Sequence, residues 1–224
     1  MSAPVRRRVR RAGKRRDPLV PAMLAMLAGA VLVLVAVLLG NLGRRPRPPR
    51  HALTMDEARA VNAAIPFDPA PLVAAHPFVF HGGPAAREQA IGCLATAARY
   101  EAGDDVRGQR AVMQVVLNRV AAPGFPKTVC GVVYQGAALP TGCQFSFACD
   151  GSLTRRTERT GWHPVRLRAA HALAGTVFRP VGTATHYHAD WTVPWWIGSL
   201  DKIAGVGPHL FYRRPGHAGG DHPR

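Results

Sequence analysis

Residues 87–119 read REQAIGCLATAARYEAGDDVRGQRAVMQVVLNR, two helical patterns that meet at a short Gly/Asp turn. In the first pattern Ala90, Leu94, Ala97 and Ala98 fall within roughly 60° of Glu101 at about 100° per residue. Gly103 is placed to stop that helix. Asp104 and Asp105 are placed to cap the next, where their charge suits the positive helix end. The second helix is expected over 106–120, with Val112, Val115, Val116 and Val120 inward, ending before Ala122-Pro123-Gly124. Glu101 is the odd residue. A carboxylate on an apolar helix face is costly unless it is paired, protonated or open to a cleft.

Toward the C-terminus, Thr128 can cap a short helix that runs through Gln135 and stops at Gly136. Gln144-Phe145-Ser146-Phe147 alternates polar and aromatic residues and is followed by the turn signal Asp150-Gly151. Pro164 suits the first turn of a helix reaching Phe178. Residues 183–189 alternate as a strand, and 209–213 read as a second. The expected fold is therefore mainly α, an α+β arrangement with a small β element, and no internal repeat is visible.

Toward the N-terminus the composition changes. The net charge is +16, but residues 1–50 hold 12 of the 29 Lys and Arg and a single acid, Asp17. The remainder is only mildly basic, with no Lys/Arg stripe and no nucleic-acid reading motif, so nucleic acid is not an expected partner. Residues 19–40 are 22 residues without a charge, enough to cross a hydrocarbon core of about 30 Å. Eight Lys/Arg precede the run and four follow it, which puts the N-terminus in the cytoplasm and the rest outside. A cleaved leader fits less well: the run is too long, and Gly40-Asn41-Leu42-Gly43 offers no small-residue cleavage site. The expected organisation is a basic cytoplasmic tail (1–17), a single transmembrane helix (18–42), a Pro-rich spacer (43–86), a folded domain (87–215) and a disordered tail (216–224). The spacer carries eight prolines, with room for one short helix over 55–64 behind Thr54.

Cys93, Cys130, Cys143 and Cys149 all follow the anchor, and an even count in an oxidising compartment suggests two disulfides. Three pairings are open. Closing the short loop 143–149 would leave Cys93 to staple the first helix to the later one at Cys130. No C-x-x-C spacing favours zinc.

As chemistry, Glu101 beside Tyr100 reads as a general acid, its carboxyl kept protonated by desolvation. The bland reading is a helix-end glutamate paired with Arg99 or Arg107. The strand places His186 and His188 on one face and Tyr187 on the other. Metal ligation by the H-x-H pair, completed by His209 and His217, is the sharper alternative to simple packing. Trp191, Trp195 and Trp196 suit sugar stacking or a small core equally well. Asn118 and Arg119 read as structural, with Asn118 bonding backbone near the Pro123 turn.

Several stretches together resemble the SleB-type cell-wall hydrolases, the spore-cortex-lytic enzymes and their relatives. They are Cys93-Leu94-Ala95, Tyr100-Glu101-Ala102, Gly108-Gln109, AVMQVVLNRV over 111–120, Phe125-Pro126, TVCGVVYQ over 128–135, CQFSFACDG over 143–151, ATHYHA over 184–189 and HLFYR over 209–213. The resemblance covers about 125 of the 224 residues and excludes the tail, the anchor and most of the spacer. It implies a lysozyme-like, mainly α fold acting on peptidoglycan glycan strands, without metal or cofactor. It places the catalytic glutamate on Glu101. The family's Glu-Ala-Arg-Gly-Glu pattern reads Glu101-Ala102-Gly103-Asp104-Asp105 here, so an arginine is lost and Asp105 keeps only a shorter carboxylate. Tyr100, Asp105, Gln144, Ser146, His186, Tyr187 and His188 are the candidate substrate-binding residues.

The implied chemistry is cleavage of the bond between N-acetylmuramic acid and N-acetylglucosamine, as a lytic transglycosylase with one Glu acting as acid and base. Hydrolysis needs a water activated by a second carboxylate, for which Asp104 and Asp105 are the neighbours. The rival functions are a weak or inactive peptidoglycan-binding scaffold and a zinc-dependent amidase or endopeptidase. The expected location is the cell inner membrane, single-pass, with the domain periplasmic or otherwise extracytoplasmic.

Overall fold

The computed structural model describes residues 19–42, 53–139, 143–154 and 161–216, in two compact units, 1–52 and 53–224. The expected basic tail at 1–17, the first part of the spacer at 43–52 and nearly all of the C-terminal tail lie outside the described residues.

The first unit contributes one helix, α1 (Leu19–Leu42), 24 residues long. At about 1.5 Å per residue it measures roughly 36 Å. Among the described residues, no helix is long and apolar enough to cross a membrane. The expected transmembrane span is therefore not supported, although α1 has 24 residues.

The second unit begins at Leu53, well before the expected domain start at Arg87. α2 (Met55–Ala64) starts behind Thr54 with a full capping box: Glu57 N–H donates to Thr54 Oγ1, and Thr54 N–H donates to the Glu57 carboxylate. The stretch expected as a tether is packed instead. Lys202 Nζ donates to the carbonyls of Asn62 and Ile65 at 2.8 and 3.0 Å and sits 4.4 Å from the Phe67 ring centre. Asp68 pairs with the buried Arg213 and its N–H donates to the Lys202 carbonyl. Proline stiffens this arm, and a few long-range polar contacts then fix it to the domain.

α3 (Pro84–Ala102) and α4 (Val106–Ala121) follow the expected pattern, with α3 gaining one turn from Pro84 at its start. Gly103, at φ +53°, ends α3, and Asp105 caps α4 through Arg107 N–H. α3 buries Ala90, Ile91, Leu94, Ala95, Ala97 and Ala98, small side chains that let α4, α5 (Val129–Val133) and α6 (Trp162–Leu173) approach closely. α6 stops five residues short of the expected Phe178, where Ala174 closes the helix and Gly175 turns at φ +94°. The segment expected to alternate after Cys143 forms a 3-10 turn at Ser146–Ala148.

Three antiparallel strands, β1 (His186–Ala189), β2 (Asp201–Val206) and β3 (His209–Arg213), stand in the order β1-β3-β2. β1 is shorter than expected for a physical reason. Helix side chains take the preceding carbonyls: Asn118 Nδ2 donates to those of Gly182 and Ala184, and Arg119 Nε to that of Thr185. Asn118 therefore anchors the approach to β1 and not the Pro123 turn. β2 escaped the sequence reading because a lysine, Lys202, occupies one of its inward positions.

α4 is the central element. Val112, Met113, Val116, Leu117 and Val120 join the helical cluster with Phe145, Phe147 and Leu173. Ala111 and Val115 join Phe178, Val181, Ala204, Val206 and Phe211 beneath the sheet. Cys93–Cys130 ties α3 to α5, and Cys143–Cys149 closes the short loop.

Candidate active site

Glu101 lies in the last turn of α3, and the tight turn at Gly103–Asp105 sends the chain away immediately after it. Its side chain enters a cleft of about 400 Å³ whose walls come from α3, α4, the Cys143–Cys149 loop and β1. Tyr100, Asp105, Gln144, Ser146, Tyr187 and His188, all candidates from the sequence, line this cleft. His186 does not. Its ring meets Trp196 at 5.4 Å and Phe125 at 6.1 Å. Burial, with the cations Arg119 and Arg214 nearby, lowers its pKa to about 4, so it is neutral at ordinary pH. A larger cavity, about 860 Å³, lies between the arm at 75–82 and the α4 end, and no carboxylate lines it. Acid chemistry therefore belongs to the smaller cleft.

Two residues that the sequence reading did not place in the site surround Glu101. Arg119, read as structural, is 4% exposed and lies beside the carboxylate. Its guanidinium stands 5.5 Å from the Phe145 ring centre and 5.6 Å from that of Phe125, while Nε bonds the Thr185 carbonyl at 2.7 Å. Its Nη1 is buried with no hydrogen-bond partner among the described residues. His209, considered before only as a metal ligand, also lines the cleft, neutral through burial, and its Nδ1 has no partner among the described residues. Arg119 was hidden from pattern reading because an arginine near a helix end normally reaches solvent.

Tyr187 reaches the site from β1. Its ring stacks on Phe211 at 5.6 Å, meets His209 edge-on at 5.4 Å and lies 6.4 Å from Phe145. Its hydroxyl is buried and completes no hydrogen bond at ordinary geometry, yet it is near enough to Glu101 for the two to couple. Burial first, then the Glu101 charge, pushes the phenol well above its ordinary range, so it stays protonated as a donor.

The same surroundings set the state of Glu101. Burial raises its pKa above the ordinary glutamate value, and Asp150 adds to the rise. The Tyr187 hydroxyl and the Arg119 charge oppose it. A carboxyl held protonated by desolvation, with two donors ready for the anion, suits proton donation followed by proton recovery. Neither Arg99 nor Arg107 takes the paired role considered from sequence; Arg99 pairs with the exposed Asp104.

Tyr187→Phe removes the donor that favours the Glu101 carboxylate, so the Glu101 pKa rises further. If activity needs protonated Glu101, its alkaline limb moves to higher pH in this variant. A kcat/KM–pH profile of wild type and variant measures the displacement, and a limb moved to lower pH contradicts the assignment.

Three other candidates in the cleft have partners within the fold. Tyr100 Oη donates to the Ser152 carbonyl at 3.2 Å, and its ring stacks on Phe147 at 4.8 Å. Asp105 accepts from Arg107 N–H at 2.9 Å. His188 Nδ1 lies 2.8 Å from the Ala189 carbonyl, which can only accept, so Nδ1 carries the proton and Nε2 accepts from Tyr212 Oη at 2.9 Å. Among the described residues no group of three His, Cys, Asp or Glu is placed to hold a metal ion.

Residues 103–212 match the Cell Wall Hydrolase family. The match falls on the segment whose sequence resembles the SleB-type hydrolases. Spore cortex-lytic enzymes are among its curated relatives. That of Halalkalibacterium halodurans is 34% identical over 110 residues, 49% of this chain and 30% of the relative. That of Bacillus cereus is 32% identical over 110 residues, 49% of this chain and 38% of the relative. The chain thus spans about a third of the length of the curated relatives it matches. Among solved structures, the catalytic domain of the Bacillus cereus SleB protein aligns with 27% identity and a TM-score of 0.44, covering 60% of this chain and 95% of that one. The catalytic domain of the germination-specific lytic transglycosylase SleB from Bacillus anthracis aligns with 26% identity and the same TM-score, covering 60% and 99%. The matched segment starts at Gly103, two residues after Glu101, so the reading of that glutamate rests on its geometry.

Proposed function

We propose that this protein cleaves the glycan strands of peptidoglycan between N-acetylmuramic acid and N-acetylglucosamine, as a lytic transglycosylase with Glu101 as its single acid and base. The observation that carries the reading is a half-buried carboxyl whose pKa desolvation raises, flanked in a cleft by Arg119 Nη1 and the Tyr187 hydroxyl, neither with a hydrogen-bond partner at ordinary geometry among the described residues. Protonated Glu101 gives its proton to the glycosidic oxygen as the bond from C1 breaks. The muramic C6 hydroxyl oxygen then closes on C1, and its proton returns to the Glu101 carboxylate. The product is a 1,6-anhydro end, and the catalyst is regenerated. While Glu101 is ionised, Tyr187 Oη and the Arg119 guanidinium stabilise it.

The neighbouring acids support this over hydrolysis. Asp104 is exposed and paired with Arg99, and Asp105 is engaged as the α4 cap. Asp150 accepts from Ser152 N–H at 2.7 Å. None of these is a free base aimed at water beside Glu101.

The uncharged run at 19–40 within α1, with basic residues on both sides, supports single-pass anchoring in the inner membrane, the N-terminus cytoplasmic and the domain periplasmic. Mass spectrometry of muropeptides released from purified sacculi tests the activity. Anhydro-muramic ends that disappear in Glu101→Gln are expected. Reducing ends would replace the proposal with hydrolysis, and no release with a binding role.

A further inference from the structure

We propose that Trp191 is a glycan-binding residue, stacking on a pyranose ring of the strand in the Glu101 cleft, and that Asn62 of α2 is the residue that positions it. The inference rests on the reading of this cleft as a glycan site.

Trp191 lines the cleft and remains 38% exposed, on a loop that leaves β1 directly after Ala189. An indole offers a broad rigid face, and the C–H face of a sugar is the apolar surface that suits it. The loop is short: Thr192 N–H and Oγ1 both turn back to the Ala189 carbonyl, at 3.0 and 2.9 Å, and Asp190 N–H donates to the Pro208 carbonyl at 2.7 Å. Its other support comes from far away in the chain. Asn62 is 2% exposed, and its single Nδ2 donates to the carbonyls of Asp190 at 2.7 Å and Thr192 at 2.9 Å. Those carbonyls flank Trp191 on either side. One buried amide therefore fixes the backbone on both sides of the indole. Arg59, one turn earlier in α2, adds an ion pair to Asp190 at 3.3 Å. Asn62 is itself locked, because its carbonyl accepts from Lys202 Nζ.

An asparagine that satisfied only its own helix would not spend both amide protons on a loop 128 and 130 residues away. α2 lies outside the family segment 103–212, so the clamp is a contribution of this chain's arm.

The test uses the full chain with Glu101→Gln, so that binding is read without turnover, and peptide-free glycan strands titrated by calorimetry. Trp191→Ala is expected to weaken binding about tenfold and Trp191→Phe much less. Asn62→Ala is expected to weaken it similarly, with no further loss in the Asn62/Trp191 double variant. In the active chain both single variants raise KM while kcat stays within about twofold. Unchanged affinity in Trp191→Ala, additive losses in the double variant, or failure of the parent to bind strands overturns the inference. If Asn62→Ala does not fold, Asn62→Ser, which keeps one donor, is expected to give an intermediate loss; full affinity there overturns the clamp. The muropeptide assay of Glu101→Gln is independent: retained cleavage there overturns the proposed function, whereas abolished cleavage with normal binding by Trp191→Ala overturns only this inference.

Discussion

Glu101→Gln is expected to lower glycan cleavage by about 10²–10⁴-fold, the range over which a positioned general acid–base acts. Glutamine keeps the shape of the side chain but cannot give or take the proton. In the wild type, activity is expected to fall as pH rises through the elevated pKa of Glu101, because only the protonated form can donate. The same variant has an effect on stability of opposite sign. The folded pKa of Glu101 lies above its unfolded value, so the fold binds the proton more tightly than the unfolded chain does. That favourable contribution is complete below the unfolded value and is lost as pH rises through the folded one. Ionising Glu101 at neutral pH therefore costs stability, and Glu101→Gln escapes the cost. Thermal unfolding at pH 8 should show a higher Tm for the variant, an excess that shrinks near pH 4. A variant less stable at pH 8 would mean that Glu101 is held as an anion.

The largest stability effect is expected from Cys93 and Cys130. Their bridge closes 37 residues of chain, which corresponds to about 4 kcal/mol in the chain-entropy view. For a domain of this size the loss lowers Tm by roughly 8–15 °C. The Cys143–Cys149 bridge spans only 6 residues, and its removal costs about 2 kcal/mol by the same rule. Urea unfolding of the two double-alanine variants gives both values. The reverse order would show that strain or residual structure, and not loop closure, governs the bridges.

What could be read from the sequence was local. The Thr54 cap, the break at Gly103, the Asp105 cap and the strand at 209–213 each depend on neighbours in the chain, and each has its expected place. Glu101 was conspicuous because a charge interrupts an apolar helical face. Long-range partners were not legible. Asn62 and Asp68 look like ordinary polar residues in a proline-rich stretch until the 190–192 loop and Arg213 arrive. Lys202 concealed β2, because its charge is satisfied by carbonyls from the arm. Arg119 looked solvent-bound until Phe125, Phe145 and the Thr185 carbonyl enclosed it.

The central place of α4 bears on how the protein becomes active. Val112 and Val116 belong to the helical cluster, while Ala111 and Val115, on the same helix, belong to the sheet cluster. Each cluster thus draws part of its core from one shared helix. Glu101 comes from the first half and Tyr187 from the second, with Arg119 on the helix between them. Only a chain in which both clusters have formed brings the carboxyl and its two donors together.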